Sequence, residues 1–172
     1  MENRSSLRRF AIVFVMLAAF LLSASCKAKG PEQIKSTANL TTSDEIKVVM
    51  TAEVIAEKTI RVSFKNNSEH TFMYGNPYTL EYYSDGKWYQ VPFEKDGPVF
   101  TLEGKLLGPA DEYAVPNEDG LTVANKGSAD VRLECFADLS KGHYRIVKDI
   151  SLLNGEDGSV KTTYYLAAEF DL

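Results

Sequence analysis

Few side chains in this sequence have the chemistry of a catalytic or metal centre. There are two cysteines, Cys26 and Cys135, and two histidines, His70 and His143. Such residues can form a disulfide, supply a thiolate nucleophile, act as general bases or bind metals. Two histidines are too few for a His-based metal centre, and the Gly-rich phosphate loop, His-Glu-x-x-His, Cys-x-x-Cys and Gly-x-Ser-x-Gly are all absent. We therefore expect no enzyme, no metal and no cofactor.

The second cysteine fits a structural role better than a chemical one. Val131, Leu133 and Cys135 alternate with polar or outward residues, which predicts a strand with Cys135 on its core face. A free cysteine there behaves as a small hydrophobe. A catalytic thiolate needs an electropositive, partly exposed site, and no histidine or basic cluster adjoins this one in sequence.

Paired carboxylates occur in one irregular region. Asp111-Glu112 and Glu118-Asp119 could ligate Ca²⁺ through oxygen, but their spacing matches no Ca²⁺ loop. Solvated loop charge is the preferred interpretation.

The N-terminal segment predicts export from the cytoplasm. Arg4, Arg8 and Arg9 precede the apolar run Phe10 to Leu22, and small residues follow at 23–25. The run is too short for a hydrocarbon core, which takes about 20 residues to span. Residues 1–25 are therefore predicted to be a signal peptide, with a short uncleaved anchor as the alternative.

The run Leu21-Leu22-Ser23-Ala24-Ser25-Cys26 resembles the lipobox of bacterial lipoproteins. The resemblance implies that Cys26 is lipidated and becomes the mature N-terminus, so that its sulfur cannot pair with Cys135. Two or more acyl chains anchor a protein stably, whereas one does so only reversibly. The implied location is the cell membrane, lipid-anchored and facing outside the cytoplasm. The alternative is an ordinary secretory signal with an incidental cysteine.

The rest of the chain divides into a polar segment and one domain. Residues 26–45 are mostly polar and show no sustained periodicity, so we expect the lipidated cysteine to be followed by a flexible linker. The length of 172 residues suits one domain with appendages, and residues 46–172 are assigned to it. The formal net charge of -5 argues against a nucleic-acid partner.

Alternating apolar residues predict an all-β domain. About seven strands, with turn signals between them and no helical crossovers, indicate an immunoglobulin-like antiparallel β-sandwich. Asp85-Gly86 between aromatic runs favours a type I′ hairpin turn. A further strand is expected somewhere in the irregular residues 94–128. The predicted strands are 46–55, 58–65, 78–84, 87–92, 129–137, 143–148 and 162–171.

The stretch around Tyr144 has the form of a tyrosine corner. Leu139 leads into a turn at Gly142, and Tyr144 then begins an apolar strand. In such a corner the phenol bonds back to the preceding connection and joins two parts of the sandwich. Tyr144 and Ile146 share a face, but Lys148 breaks the alternation, so we expect the strand to end near Val147 or to bulge there.

Four runs together resemble a family of bacterial immunoglobulin-like domains found in secreted and lipid-anchored envelope proteins. They are Val62-Ser63-Phe64-Lys65-Asn66-Asn67-Ser68, Leu80-Glu81-Tyr82-Tyr83-Ser84-Asp85-Gly86-Lys87-Trp88, Gly142-His143-Tyr144-Arg145-Ile146-Val147-Lys148 and Ala168-Glu169-Phe170. The Gly-x-Tyr-Arg-Ile-x-Lys run is the hallmark of that family. The resemblance implies a fold and supplies no catalytic residues.

One group of residues suggests a partner surface. Tyr78, Tyr83 and Tyr89 lie in or beside the predicted hairpin, where an exposed aromatic patch would bind an envelope protein or a glycan. The alternative is that they pack across strands. Arg145 and Lys148 are interpreted as solvated sheet charge.

The sequence therefore predicts a membrane-anchored envelope lipoprotein with one non-catalytic Ig-like domain that serves as a binding or structural module. The alternative is an envelope-anchored enzyme inhibitor or assembly chaperone.

Overall fold

The computed structural model describes residues 34–94, 97–98, 100–101, 103–110, 123–136, 139–155 and 157–172. The predicted signal peptide, Cys26 and both acidic pairs at 111–119 lie outside these residues. The strands are β1 (Ile34–Lys35), β2 (Val48–Ala56), β3 (Thr59–Asn66), β4 (Phe72–Tyr74), β5 (Thr79–Ser84), β6 (Lys87–Gln90), β7 (Lys105–Leu107), β8 (Lys126–Arg132), β9 (His143–Leu153) and β10 (Val160–Asp171), and the helix is α1 (Ser43–Ile46).

The strands form two antiparallel sheets, as an Ig-like sandwich requires. The larger sheet has the order β1-β6-β5-β9-β4-β7, and β10 pairs with the other side of β9. The smaller sheet has the order β2-β3-β8. Apolar side chains from the facing sides of the two sheets make the core, among them Val62, Phe64, Leu80 and Ile146. The predicted fold class is confirmed.

The hairpin between β5 and β6 follows directly from its turn residues. Asp85 has φ 49° and Gly86 has φ 75°, so both central residues are left-handed as a type I′ turn requires. The turn fixes the register in which Tyr83 faces Trp88 and Tyr82 faces Tyr89.

Strand β9 neither ends nor bulges at Lys148, so that expectation is wrong. Its pairing with β10 continues without a break from His143 to Leu152. Lys148 keeps the inward phase of Ile146 and Ile150 and is buried with them. A charged residue is tolerated there because its ammonium group donates to three backbone carbonyls.

The C-terminal part of the predicted linker packs on the domain. In residues 34–41, here called the strap, Ser36 N–H donates to the Trp88 carbonyl at 3.0 Å and Thr41 N–H to the Tyr165 carbonyl at 2.8 Å. Trp88 lies on β6 and Tyr165 on β10, so the strap joins opposite sides of the larger sheet. Ser36, Ala38 and Leu40 are partly buried, whereas the residues between them are exposed. The strap therefore lies extended across the sheet, and residues Ile34–Leu172 form one compact unit.

Besides the start of β8, the described residues of the irregular region hold one short strand, β7. β7 pairs with β4, a strand that the sequence analysis did not predict. Both strands have only three residues. Alternation over three residues is too brief to distinguish from a loop.

Candidate functional site

Tyr144 is held in a closed corner. Its hydroxyl donates to the Ser140 carbonyl at 2.8 Å, and its ring stacks on Phe170 with centroids 6.0 Å apart. Gly142 and Leu172 exchange two backbone hydrogen bonds of 3.1 and 3.0 Å, and Leu139 packs against the core. These contacts join the start of β9 to the end of the chain. The corner is structural, and the partly exposed His143 lies beside it.

The predicted aromatic surface is wrong, because the three tyrosines do not share a face. Tyr83 is exposed and pairs with Trp88, whereas Tyr89 is half-buried and stacks on Tyr82. Neighbouring residues of a strand point to opposite sides, so Tyr83 and Tyr89 face apart. Tyr78 lies elsewhere, half-buried between Phe100 and Phe136. The observation that favoured a glycan partner is therefore lost.

Arg145 is not solvated sheet charge. It lies opposite Glu81 on the outer face of the larger sheet, and its Nε donates to Glu81 Oε2 at 2.6 Å. The Arg145 side chain is 11% exposed and that of Glu81 is 0%. The guanidinium carbon lies 4.3 Å from the centre of the Trp88 ring. Ser36 of the strap reaches the same guanidinium at 3.5 Å, so the strap helps to cover the pair.

Lys148 is a second buried cation that was interpreted as solvated. Its Nζ donates to the carbonyls of Gly75, Asn76 and Pro77 at 2.9, 3.3 and 2.9 Å. Loss of solvent contact lowers the pKa of Lys148 to about 8. The three acceptors fix the loop before β5, and with it the position of Tyr78.

Cys135 lies in a turn rather than in the predicted strand, although its half-buried side chain does pack against the hydrophobic core as expected. β8 ends at Arg132, and the Phe136 N–H donates to the Leu133 carbonyl at 3.1 Å, so the chain turns here. The half-buried thiol lies 3.4 Å from the Tyr78 hydroxyl. Burial, with a smaller contribution from this contact, raises the pKa of Tyr78 above its ordinary value.

A cavity of about 470 Å³ opens beside this turn. Its lining includes residues 129–132 at the edge of β8, together with Tyr78 and Lys148. We call it the β8 groove. Its size suits a small ligand or a few side chains. The remaining lining residues are Asn76, Pro98, Phe100, Glu134 and Cys135.

The β8 groove adjoins unpaired backbone. Two backbone hydrogen bonds show which residues of β8 bond to β3. Asn66 N–H donates to the Asn125 carbonyl and Leu133 N–H donates to the Lys58 carbonyl, so the odd-numbered residues of β8 bond to β3. In an antiparallel pair every second residue bonds the partner strand, so Ser128 and Asp130 direct their N–H and C=O groups away from β3. No other described strand pairs with that edge.

His143 lies near the corner with a carboxylate at each ring nitrogen. Its Nδ1 lies 2.8 Å from Asp171 Oδ1, and its Nε2 lies 2.9 Å from Glu169 Oε2. The hydrogen bond to Asp171, then that to Glu169, raises the pKa of His143. The described residues hold no group of three side chains that could bind a metal. No described helix is long and apolar enough to cross a membrane.

Sequence reasoning missed Glu81, Lys148 and the backbone of Ser128 as notable positions. A signal existed for Lys148, since it occupies an inward phase between Ile146 and Ile150. None existed for Ser128, because an open edge depends on which strands lie beside it.

Comparison with known proteins identifies one family. A family model described as a bacterial Ig-like domain matches residues 42–171. No curated protein and no solved structure matches the chain.

Proposed function

This chain belongs to the family of bacterial Ig-like domains, and from that premise we propose that it is a lipid-anchored protein of the cell envelope. Its single domain acts there as a non-catalytic binding module, outside the cytoplasm. The observation that carries the anchoring is the run Leu21-Leu22-Ser23-Ala24-Ser25-Cys26. It places a cysteine directly after a short apolar segment and small residues, as in the lipobox of bacterial lipoproteins.

The strap bears on where such an anchor would hold the domain. The compact unit begins at Ile34, so only residues 27–33 separate it from Cys26. A chain of that length reaches at most about 25 Å even when fully extended. The proposed lipid would therefore keep the domain close to the membrane surface, nearer than a free linker to residue 45 would allow.

Two features favour a binding role over a purely structural one. The β8 groove is open, and the backbone beside it has groups without a partner strand among the described residues. The same features favour the second candidate, an envelope-anchored inhibitor or assembly chaperone, because either would hold a partner polypeptide.

Substitution of the two cysteines tests the anchoring. We expect Cys26→Ser to move the protein from the membrane fraction to the soluble fraction and to abolish labelling by radioactive palmitate. Cys135→Ser is the matched control, since it removes the other thiol and should leave both properties unchanged. Unaltered fractionation and labelling of the Cys26→Ser protein would refute the lipoprotein proposal.

A further inference from the structure

The smaller sheet has two edges that no other described strand pairs with, those of β2 and β8, and only the edge of β8 adjoins the β8 groove. The outer edge of β10 is bonded by the strap at Tyr165, and β1 and β7 are very short. Along β8, by contrast, Ser128 and Asp130 each direct one N–H and one C=O group away from β3. Such an edge is a template for another strand unless something covers it.

The limits of the open stretch are defined by its neighbours. At one end the Ala124 carbonyl accepts a hydrogen bond from the Gly108 N–H at 2.9 Å. At the other end the Arg132 carbonyl accepts a hydrogen bond from the Tyr78 hydroxyl at 3.1 Å. Between these points the outward backbone groups belong to Lys126, Ser128 and Asp130, and those of Ser128 and Asp130 flank Ala129, which lines the β8 groove.

The two sides of an added strand would meet different surroundings. Its inward side chains would enter the β8 groove, against Tyr78, Phe100 and Val131. Ala129, which has the core phase, is only half-buried, although Val62 opposite it is fully buried. The groove therefore has space for apolar side chains, and no described side chain of the domain fills it.

Charge distinguishes the outward positions. Lys126 and Arg132 are exposed on the outer side of β8, and neither forms an ion pair within the described residues. Asp130, the acid between them, is already paired with Arg61 at 2.8 Å. The outward side chains of an added strand therefore lie beside two cations, which favours acidic residues there.

We propose that the edge of β8 binds an extended segment of a partner protein by strand addition, with apolar residues at alternate positions and acidic residues between them. The hydrogen bonds of Ser128 and Asp130 hold its backbone, and the β8 groove selects its apolar side chains. This inference rests on the proposed binding role and gives that role a site and a class of partner.

The probe is a capped synthetic peptide in which glutamate alternates with valine and a central phenylalanine. We expect it to bind the full chain in detergent, measured by fluorescence anisotropy, and to slow amide hydrogen exchange at residues 128–130. A peptide with lysine in place of each glutamate should bind more weakly. So should one with N-methyl groups on the amides that face β8, because it cannot complete the ladder.

Proline substitution tests the backbone contact on the protein side. Ser128→Pro removes the outward N–H without touching the ladder to β3, whereas Ser128→Ala keeps it. We expect the proline variant to bind the peptide about tenfold more weakly, which corresponds to about 1.4 kcal/mol, and the alanine variant to bind normally. Asp130→Pro compared with Asp130→Ala repeats the test if Ser128→Pro does not fold.

Three results would overturn the inference. One is no binding of the peptide at about 1 mM, the level of weak recognition. Another is binding that neither proline variant weakens. The third is dimerisation of the chain that Ser128→Pro abolishes, since the edge would then bind a second copy. Cys26 takes no part in this edge, so failure of the anchoring test would leave the peptide result intact, and the reverse also holds.

Discussion

Each sheet of this domain carries one cross-strand arginine–carboxylate pair on its outer face, and the two pairs have opposite surroundings. Arg61 and Asp130 are directly opposed in the smaller sheet, with side chains 48% and 50% exposed. Glu81 and Arg145 are directly opposed in the larger sheet and are almost fully buried. Since the pairing is the same, the difference comes from what lies over each face.

The larger sheet is covered by parts that the smaller sheet lacks. The strap crosses its outer face, and Trp88 stacks on the guanidinium of Arg145. Glu81 Oε1 is buried and has no hydrogen-bond partner in the part of the chain that the structure describes. Loss of Arg145 should therefore lower the free energy of unfolding strongly, because no other described group would balance the charge of the buried Glu81 carboxylate.

The largest effect that would test this contrast comes from removing each arginine. Arg145→Met should lower the free energy of unfolding by about 3–5 kcal/mol, because it leaves the buried Glu81 carboxylate without a counter-charge. Arg61→Met, the matched control, should leave the urea midpoint almost unchanged, because water replaces its contacts. Equal losses for the two variants would contradict the contrast.

The next effect concerns how the covered sheet is closed at the end of the chain. Tyr144→Phe removes the hydroxyl that bonds the Ser140 carbonyl and should cost about 1 kcal/mol, or up to about 3 if that carbonyl is left without a partner. Chemical denaturation measures it. Tyr83→Phe is the control, since that exposed phenol forms no hydrogen bond within the described residues, and a cost as large there would assign the loss to something other than the corner.

The role of the strap can be tested without changing either ion pair. Thr41→Pro removes the N–H that bonds the Tyr165 carbonyl and should cost about 1 kcal/mol, the net contribution of one hydrogen bond. Thr41→Ala keeps that N–H and is the control. If the strap covers the larger sheet, the proline variant should also speed amide exchange in β1, and unchanged exchange there would show that the strap does not depend on this bond.

The sequence predicted those parts of the fold that depend only on residues close together in the chain. Asp85-Gly86 fixed its own turn, and the alternation in β10 identified a long strand. Alternation reports which side a charged residue faces but not what covers that side. Arg145 was correctly placed outward, yet Trp88 and the strap cover it. Lys148 was judged by its charge rather than by its inward phase, and its three carbonyl acceptors come from a loop 71–73 residues away.

The candidate site was predictable to a smaller extent than the fold. Tyr78 was singled out from sequence, but with two tyrosines that lie elsewhere. The β8 groove depends on an edge that no other described strand pairs with and on the turn at Cys135, and neither leaves a pattern in the residues themselves. Interactions between distant segments decide both.

The smallest expected effect lies at the exposed margin of the covered sheet, where His143 contacts Asp171 and Glu169. These hydrogen bonds raise the folded-state pKa of His143 above its ordinary value of 6.5. The folded protein therefore holds this proton more tightly than the unfolded chain does. The resulting stabilisation is complete below about pH 6.5 and is lost as the pH rises through the higher folded-state pKa. The side chains of His143, Asp171 and Glu169 are 40%, 80% and 57% exposed, so water and salt weaken the contacts.

We expect the stability difference between the native protein and His143→Gln to shrink between pH 6 and pH 9, and to shrink less in high salt. A difference that stays constant across this range would show that folding does not raise the pKa of His143. The contacts with Asp171 and Glu169 would then add no charge-dependent stability at this exposed margin.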